Sequence, residues 1–202
     1  MTSEEVNRLK GTHLAPYIDI ATVLIGKSRE GGGNMFRHQL DTMAILIDYG
    51  YFDTVLLKAS IVHDVLEDIP DFNHNNLLSI DFESHAVYDL VQEVTRRDGE
   101  TKAEFLTRIR EKGSYNAKVL KVADRISNMI SLGYVNNMEF VQRYIIETEQ
   151  YILPIAAEVN QYTVTELVHL VHSRRRYLEN FRLFRTPGES AGANKVDSTD
   201  FI

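Results

Sequence analysis

The sequence predicts an all-α fold arranged as a single domain, and three observations carry that expectation. Apolar residues recur at intervals of three and four in one segment after another, no segment alternates polar and apolar residues with period two, and turn-forming residues fall between the segments. At 202 residues the chain is long enough for one full-sized core, and no internal repeat divides it. With 44% hydrophobic and 25% charged residues it has the balance of an ordinary globular protein. The absence of cysteine excludes disulfides and thiolate metal sites. A net charge of −7 argues against a general nucleic-acid binder but leaves room for one phosphorylated small molecule on a local basic patch. The start, MTSEEVNRLK, lacks the basic head and apolar core of a signal peptide, and no apolar run approaches the ~18 residues of a membrane span. The expected location is cytoplasmic, with no membrane partner.

Taken in order, Leu14 to Gly26 has apolar residues at helical spacing, with Pro16 tolerated in a first turn. Lys27 to Asn34 follows as a glycine-rich loop with two cations, Lys27 and Arg29, and its three successive glycines let a backbone approach a ligand closely. Met35 to Tyr49 predicts a second amphipathic helix with His38 in its first turn. After a turn at Gly50, Thr54 to Ile69 predicts one apolar helix, ended by a polar loop from Pro70 to Asn76. Val87, Leu90, Val91 and Val94 space a helix within Leu77 to Thr95, and Lys102 to Arg110 predicts a more polar one. Ser114 to Leu132 carries a stripe of Val119, Val122, Ala123, Ile126, Met129 and Ile130 that is expected to be buried. Met138 to Asn160 begins as a long helix interrupted by Pro154. Thr163 to Leu183 is the last helix, with Thr163 or Thr165 as its N-cap and Arg174, Arg175 and Arg176 as a solvated face. Thr186 to Ile202 is low in apolar residues and is expected to be disordered.

The chemistry concentrates in Thr54 to Ile69, where His63, Asp64, Glu67 and Asp68 interrupt an otherwise apolar run. On a helix, His63 stacks over Glu67 and Asp64 over Asp68. Burying such charges without partners costs roughly several kcal/mol, and a divalent metal is the simplest single compensation. Asp124 sits beside the apolar stripe of its own helix, with Asn128 one turn further on and Lys121 and Arg125 as adjacent cations. An Asp–Arg neighbour pair is more often a structural ion pair than a catalytic one, so Asp124 gains meaning only together with the histidines.

His38 near a helix start, the His63-Asp64 dipeptide and the distant Asp124 resemble the HD-domain metal phosphohydrolases. The longer pattern, His-Asp-x-x-Glu-Asp followed by Lys-x-Ala-Asp-Arg-x-x-Asn-Met, is more specific and resembles the hydrolase domain of the RelA/SpoT-homologue family, which degrades the alarmone (p)ppGpp. The parallel runs roughly from Leu14 to Leu170, and the length resembles that of stand-alone small alarmone hydrolases. The resemblance implies an HD-type helical bundle over residues 1–185, with 186–202 as a tail.

It also implies roles. His38, His63, Asp64 and Asp124 would hold Mn²⁺, with Fe²⁺ or Zn²⁺ also suited to two imidazoles and two carboxylates. Glu67 would orient and deprotonate the attacking water, assisted by Asp68. Lys27, Arg29, Lys121, Arg125, Asn128 and Arg143 would contact the nucleotide. The implied reaction removes the 3′-pyrophosphate of ppGpp or pppGpp to give GDP or GTP and pyrophosphate; a homo-oligomer remains open. The chain departs from the family pattern in four places. Gln39 follows His38 where proline is common, Ser127 stands where a ring-bearing residue is frequent, Ile146 takes a basic position near Arg143, and the triple-glycine loop replaces a more constrained stretch. Two alternatives follow: the same metal core acting on NADPH or another nucleotide, or a non-catalytic alarmone-binding, antitoxin-like module. His13, His74, His85, His169 and His172 carry no assigned role.

Overall fold

A computed structural model of the chain describes residues 1–184, so the tail expected over Thr186 to Ile202 lies outside the described residues. Among the described residues every regular element is helical. α1 (Ser3–Gly11) opens on a capping box in which Thr2 and Glu5 satisfy each other's backbone N–H groups. The hydrophobic pattern does not announce this helix, because none of its residues is buried. α2 (Ala15–Ala21), with Pro16 in its first turn, tightens into a 3-10 turn at Thr22–Leu24. The glycine-rich segment then folds back on itself through a bridge between Ser28 and Asn34. Gly32 and Gly33 both sit at φ +82°, a conformation that a side chain would strain. Asn34 caps α3 (Met35–Asp48) on the Phe36 N–H, and Asp53 caps α4 (Thr54–Val62) on the Leu56 N–H.

The single helix expected over Thr54 to Ile69 is two. α4 ends at Val62, His63 and Asp64 form a joint, and α5 (Val65–Asp68) follows. The cause is local competition for carbonyls. His63 Nδ1 takes the Ser60 carbonyl at 2.8 Å, the group a continuing helix would offer to the Asp64 N–H. Both joint residues keep helical backbone angles, and Asp64, Glu67 and Asp68 line one cavity.

α6 (His74–Leu78), capped by Asn73, begins inside the segment expected to be loop. α7 (Ser84–Val94) and α8 (Lys102–Lys112) follow, the latter behind a Thr101–Glu104 capping box. α9 (Tyr115–Ser131) is capped by Ser114 and buries its predicted stripe except Ile130, which is 44% exposed. α10 (Met138–Glu147) passes through a π-helical stretch, Thr148–Ile152, into α11 (Leu153–Val159), with Pro154 in the first turn of α11. α12 (Gln161–Phe184) is capped by Asn160, which accepts from the Tyr162 N–H at 2.9 Å. The hydroxyls of Thr163 and Thr165, expected as caps, instead donate to the Asn160 and Gln161 carbonyls. Arg174 is not part of a solvated face either: its Nε and Nη2 donate to the Met129 and Ile130 carbonyls at 2.8 and 2.9 Å, closing the end of α9.

α4 is the innermost helix because it is apolar on nearly every side; all residues from Leu56 to Val62 are buried. It packs against α2, α3 and α7, while α9 lies across α3 and against α7, α11 and α12. Two apolar clusters result. One gathers α2, α4, α7 and the inner residues Ala117, Val119, Leu120 and Ala123 of α9. The other gathers α8, α10, α11, α12 and the opposite residues Val122, Ile126 and Met129 of α9. Lys58, buried in α4, reaches Asp81 at 2.7 Å and Glu83 at 2.5 Å, which ties the link before α7 to the core. α3, the joint after α4 and α9 each send side chains to one common opening.

Candidate metal centre and its anion cavity

His38 on α3, His63 and Asp64 at the joint after α4, and Asp124 on α9 converge where those three elements meet. His38 Nε2 lies 3.0 Å from Asp124 Oδ1 and 3.5 Å from Asp64 Oδ2. His63 Nε2 lies 3.3 Å from Asp64 Oδ2 and 3.9 Å from Asp124 Oδ1. Ligand atoms of His38, His63 and Asp124 all lie within 4.8 Å of one another, and all three side chains are buried.

The tautomer of His63 follows from its partner. A carbonyl only accepts, so Nδ1 carries the proton toward Ser60, and Nε2 presents a lone pair to the carboxylates. That Nε2 is buried without a hydrogen-bond partner, the mark of a donor atom waiting for a cation. Burial, the dominant influence, lowers the pKa of His38 and favours the neutral ring a metal needs. Burial acts the same way on His63, but the facing Asp64 and Asp124 charges outweigh it and raise its pKa. For Asp124 burial is outweighed by Lys121, 2.6 Å away, and by the two histidines, which together hold the carboxyl well below the usual range. Asp64 is likewise lowered against its burial by His63 and His38. His38, His63 and Asp124 thus form a group able to hold a divalent cation, with the ionised Asp64 carboxylate beside them, and these residues fit one.

The cluster forms the floor of a cavity of about 390 Å³ that also exposes Glu67 and Asp68 from α5, Arg29 from the glycine loop, Lys121 and Asn128 from α9, and Lys102 from α8. Tyr144 and Phe140 from α10 form an aromatic wall. Three cations (Arg29, Lys102 and Lys121) face five carboxylates (Glu30, Asp64, Glu67, Asp68 and Asp124), an imbalance that one divalent ion cancels. Asp68 has its pKa raised by burial and then by the neighbouring Asp64 charge. Lys102 forms no ion pair among the described residues; burial, then Lys121 and Arg125, bring its pKa down to about 8.

Not every expected contact residue reaches this opening. Arg29 donates to Asn128 Oδ1, and Asn128 donates in turn to the Asp124 carboxylate, so these two line the cavity together. Lys27 donates to the Asp68 carbonyl and fastens the glycine loop to α5 without lining the cavity. Arg125 turns away: it is buried against the Tyr144 ring, 4.4 Å from its centroid, with Glu147 at 3.3 Å and Thr148 at 3.5 Å. Arg125, expected to contact the nucleotide, thus lies outside the cavity lining and stands behind Tyr144, held by the neighbouring acid on α10. Arg143 also stands outside the lining, exposed over Phe140 and 3.9 Å from Glu30 at the rim. Sequence reasoning missed Lys102, which there looks like any lysine at the start of a polar helix. Only the approach of α8 to α5 and α9 singles it out.

Among the described residues no helix is long and apolar enough to cross a membrane. No protein-family description and no curated relative matches the chain. A solved structure does match: that of a metazoan orthologue of SpoT, described as hydrolysing ppGpp and playing a role in starvation responses, is 21% identical to this chain. The match covers 80% of this chain and 94% of that one with a TM-score of 0.66. At that identity the likeness speaks for architecture. This chain has the helical HD-type fold of that metazoan protein.

Proposed function

We propose that this protein is a metal-dependent (p)ppGpp 3′-pyrophosphohydrolase of the RelA/SpoT-homologue type, working with Mn²⁺ in the cytoplasm. The observation that carries the reading is one cavity in which an imidazole–carboxylate group, the half-exposed carboxylate of Glu67 and the ammonium of Lys102, unpaired among the described residues, all face the same space. The described activity of the metazoan protein sharing the fold supports the choice of substrate.

A divalent cation held by His38, His63, Asp64 and Asp124 would polarise a phosphoryl oxygen and acidify a bound water. Glu67 sits on the short helix after the metal joint, near enough to the floor to take a proton from water positioned there. The new bond joins the water oxygen to the phosphorus attached to O3′. The bond that breaks is phosphorus–O3′, and the proton held by Glu67 passes to the departing 3′-oxygen. Asp68, with its pKa raised, is suited to share that proton through a hydrogen bond. Lys102, Lys121 and Arg29 would hold the phosphate oxygens, and Asn128 the ribose or a phosphate. The aromatic wall of Tyr144 and Phe140 offers a face to the base.

The test is product analysis of ppGpp and pppGpp incubated with metal-stripped protein, with and without added Mn²⁺. GDP or GTP plus pyrophosphate, formed only with metal and reduced about 10²–10⁴-fold in Glu67→Gln, is the expected result. Orthophosphate released from NADPH, with ppGpp left intact, would keep the metal core and replace the substrate. Unchanged ppGpp binding without turnover of any nucleotide would replace the enzyme with an alarmone-binding module.

A further inference from the structure

We propose that Gln39 and Ser127 are positioning residues of the metal centre, each holding one ligand in the form that receives a divalent cation. The inference deepens the reading above and rests on its metal centre.

Gln39 follows His38 on α3 and is fully buried. Its Nε2 donates to Asp64 Oδ2 at 2.9 Å and, more weakly, to the Met35 carbonyl at 3.5 Å. Its Oε1 is buried with no partner among the described residues. Flipping the amide would set Oε1 against an ionised carboxylate, so the orientation is dictated by Asp64. An apolar side chain of the same size would avoid the unsatisfied oxygen altogether. What the amide contributes is therefore the hold on Asp64 Oδ2, the very oxygen that faces both histidines.

Ser127 lies three residues after Asp124 on α9, is 2% exposed, and places Oγ 2.8 Å from His38 Nδ1. His38 Nε2 faces Asp124 Oδ1 at 3.0 Å. Ligation through Nε2 needs the tautomer in which Nδ1 carries the proton and donates to Ser127 Oγ. A hydroxyl serves either tautomer, whereas a group able only to donate or only to accept locks one of them. His63 already has its own support in the Ser60 carbonyl. Gln39 and Ser127 thus complete the outer contacts of a second imidazole and a carboxylate.

The test is Mn²⁺ titration of metal-stripped protein, with free ion read by electron paramagnetic resonance, for the wild type, Gln39→Met, Ser127→Ala and Ser127→Thr. Melting temperatures of the metal-free proteins are measured alongside. Gln39→Met and Ser127→Ala are expected to weaken Mn²⁺ binding about 10- to 100-fold each, with metal-free melting temperatures near the wild type. Ser127→Thr, which keeps the hydroxyl, is expected to retain wild-type affinity. A metal-binding wild type with Gln39→Met and Ser127→Ala within about twofold of it overturns this inference alone; so does an affinity loss in Ser127→Thr equal to that in Ser127→Ala. A wild type that takes up none of Mn²⁺, Fe²⁺ or Zn²⁺ overturns the metal centre and this inference with it.

Discussion

Lys102 sits directly after the N-cap of α8, where its sequence neighbours give it no distinction, yet it enters the cavity as a cation with no ion pair among the described residues. An ammonium paired with a carboxylate must break that pair to bind phosphate; Lys102 has none to break. Burial and the nearby Lys121 lower its pKa to about 8, so it loses charge as pH rises through that value and regains it below. Under the proposed activity, the KM for ppGpp is expected to climb above about pH 8, in step with deprotonation. Lys102→Arg should move that alkaline rise upward, since a guanidinium stays charged, while Lys102→Met should raise KM at neutral pH and remove the rise. A pH series of KM for the three proteins checks this, and an identical alkaline limb in all of them would exclude Lys102 as its source.

The helices are delimited by side chains acting on backbone ends, and α9 illustrates the consequence for the site. It carries Lys121, Asp124, Ser127 and Asn128, so its position sets a large share of the cavity. Ser114 caps its start, and Arg174 of α12 takes two carbonyls at its end. Arg174→Ala leaves those carbonyls to compete for water and is expected to cost about 1 kcal/mol, or about 2–4 °C in melting temperature for a chain of this size. Differential scanning calorimetry would show it. The Thr101–Glu104 capping box on α8 is expected to contribute about 1 kcal/mol as well, measured through Thr101→Ala, and that variant should also loosen Lys102. The π-helical stretch before α11 brings Thr148 against Arg125 and keeps that guanidinium behind Tyr144.

At the scale of the whole molecule, the two apolar clusters share α9, whose opposite faces belong to one each. Ile45 of α3 packs against both. Leu120→Ala in the first cluster and Met129→Ala in the second are each expected to cost about 2–5 kcal/mol. Both should shift one cooperative denaturant transition rather than split it, because neither cluster closes without α9. A biphasic transition in either variant would mean that the clusters unfold separately. Acid stability has an identifiable contributor in Glu100. Its bidentate bond with Arg108, at 2.7 and 2.9 Å, lowers its pKa to about 2. A carboxylate lowered on folding stabilises the native state above its unfolded pKa and loses that contribution as pH falls toward its folded value. Glu100→Gln should therefore flatten the acid limb of the stability curve between about pH 4.5 and 2 while changing little below it.

The sequence by itself determined the helical class, because 3.6-residue periodicity and the absence of period-two alternation are local properties. It also marked His63, Asp64, Glu67, Asp68 and Asp124 as chemically conspicuous, since titratable groups on apolar helices require a shared partner, while His38 entered only through the family resemblance. The tertiary structure decided what depends on distance. It broke the helix at His63–Asp64, where an imidazole takes the Ser60 carbonyl that regular spacing assigns to a backbone N–H. It moved Arg125 to Glu147, left Arg143 at the rim, turned Arg174 onto the end of α9 and brought Lys102 into the cavity. A cation's role depends on which acid or carbonyl lies within about 4 Å of it, a matter of long-range packing that no local pattern encodes. The converging imidazoles and carboxylates stood out in advance because titratable groups on apolar helices are exceptional; their supporting contacts, Gln39 and Ser127 among them, became visible only when α3, α4 and α9 came together.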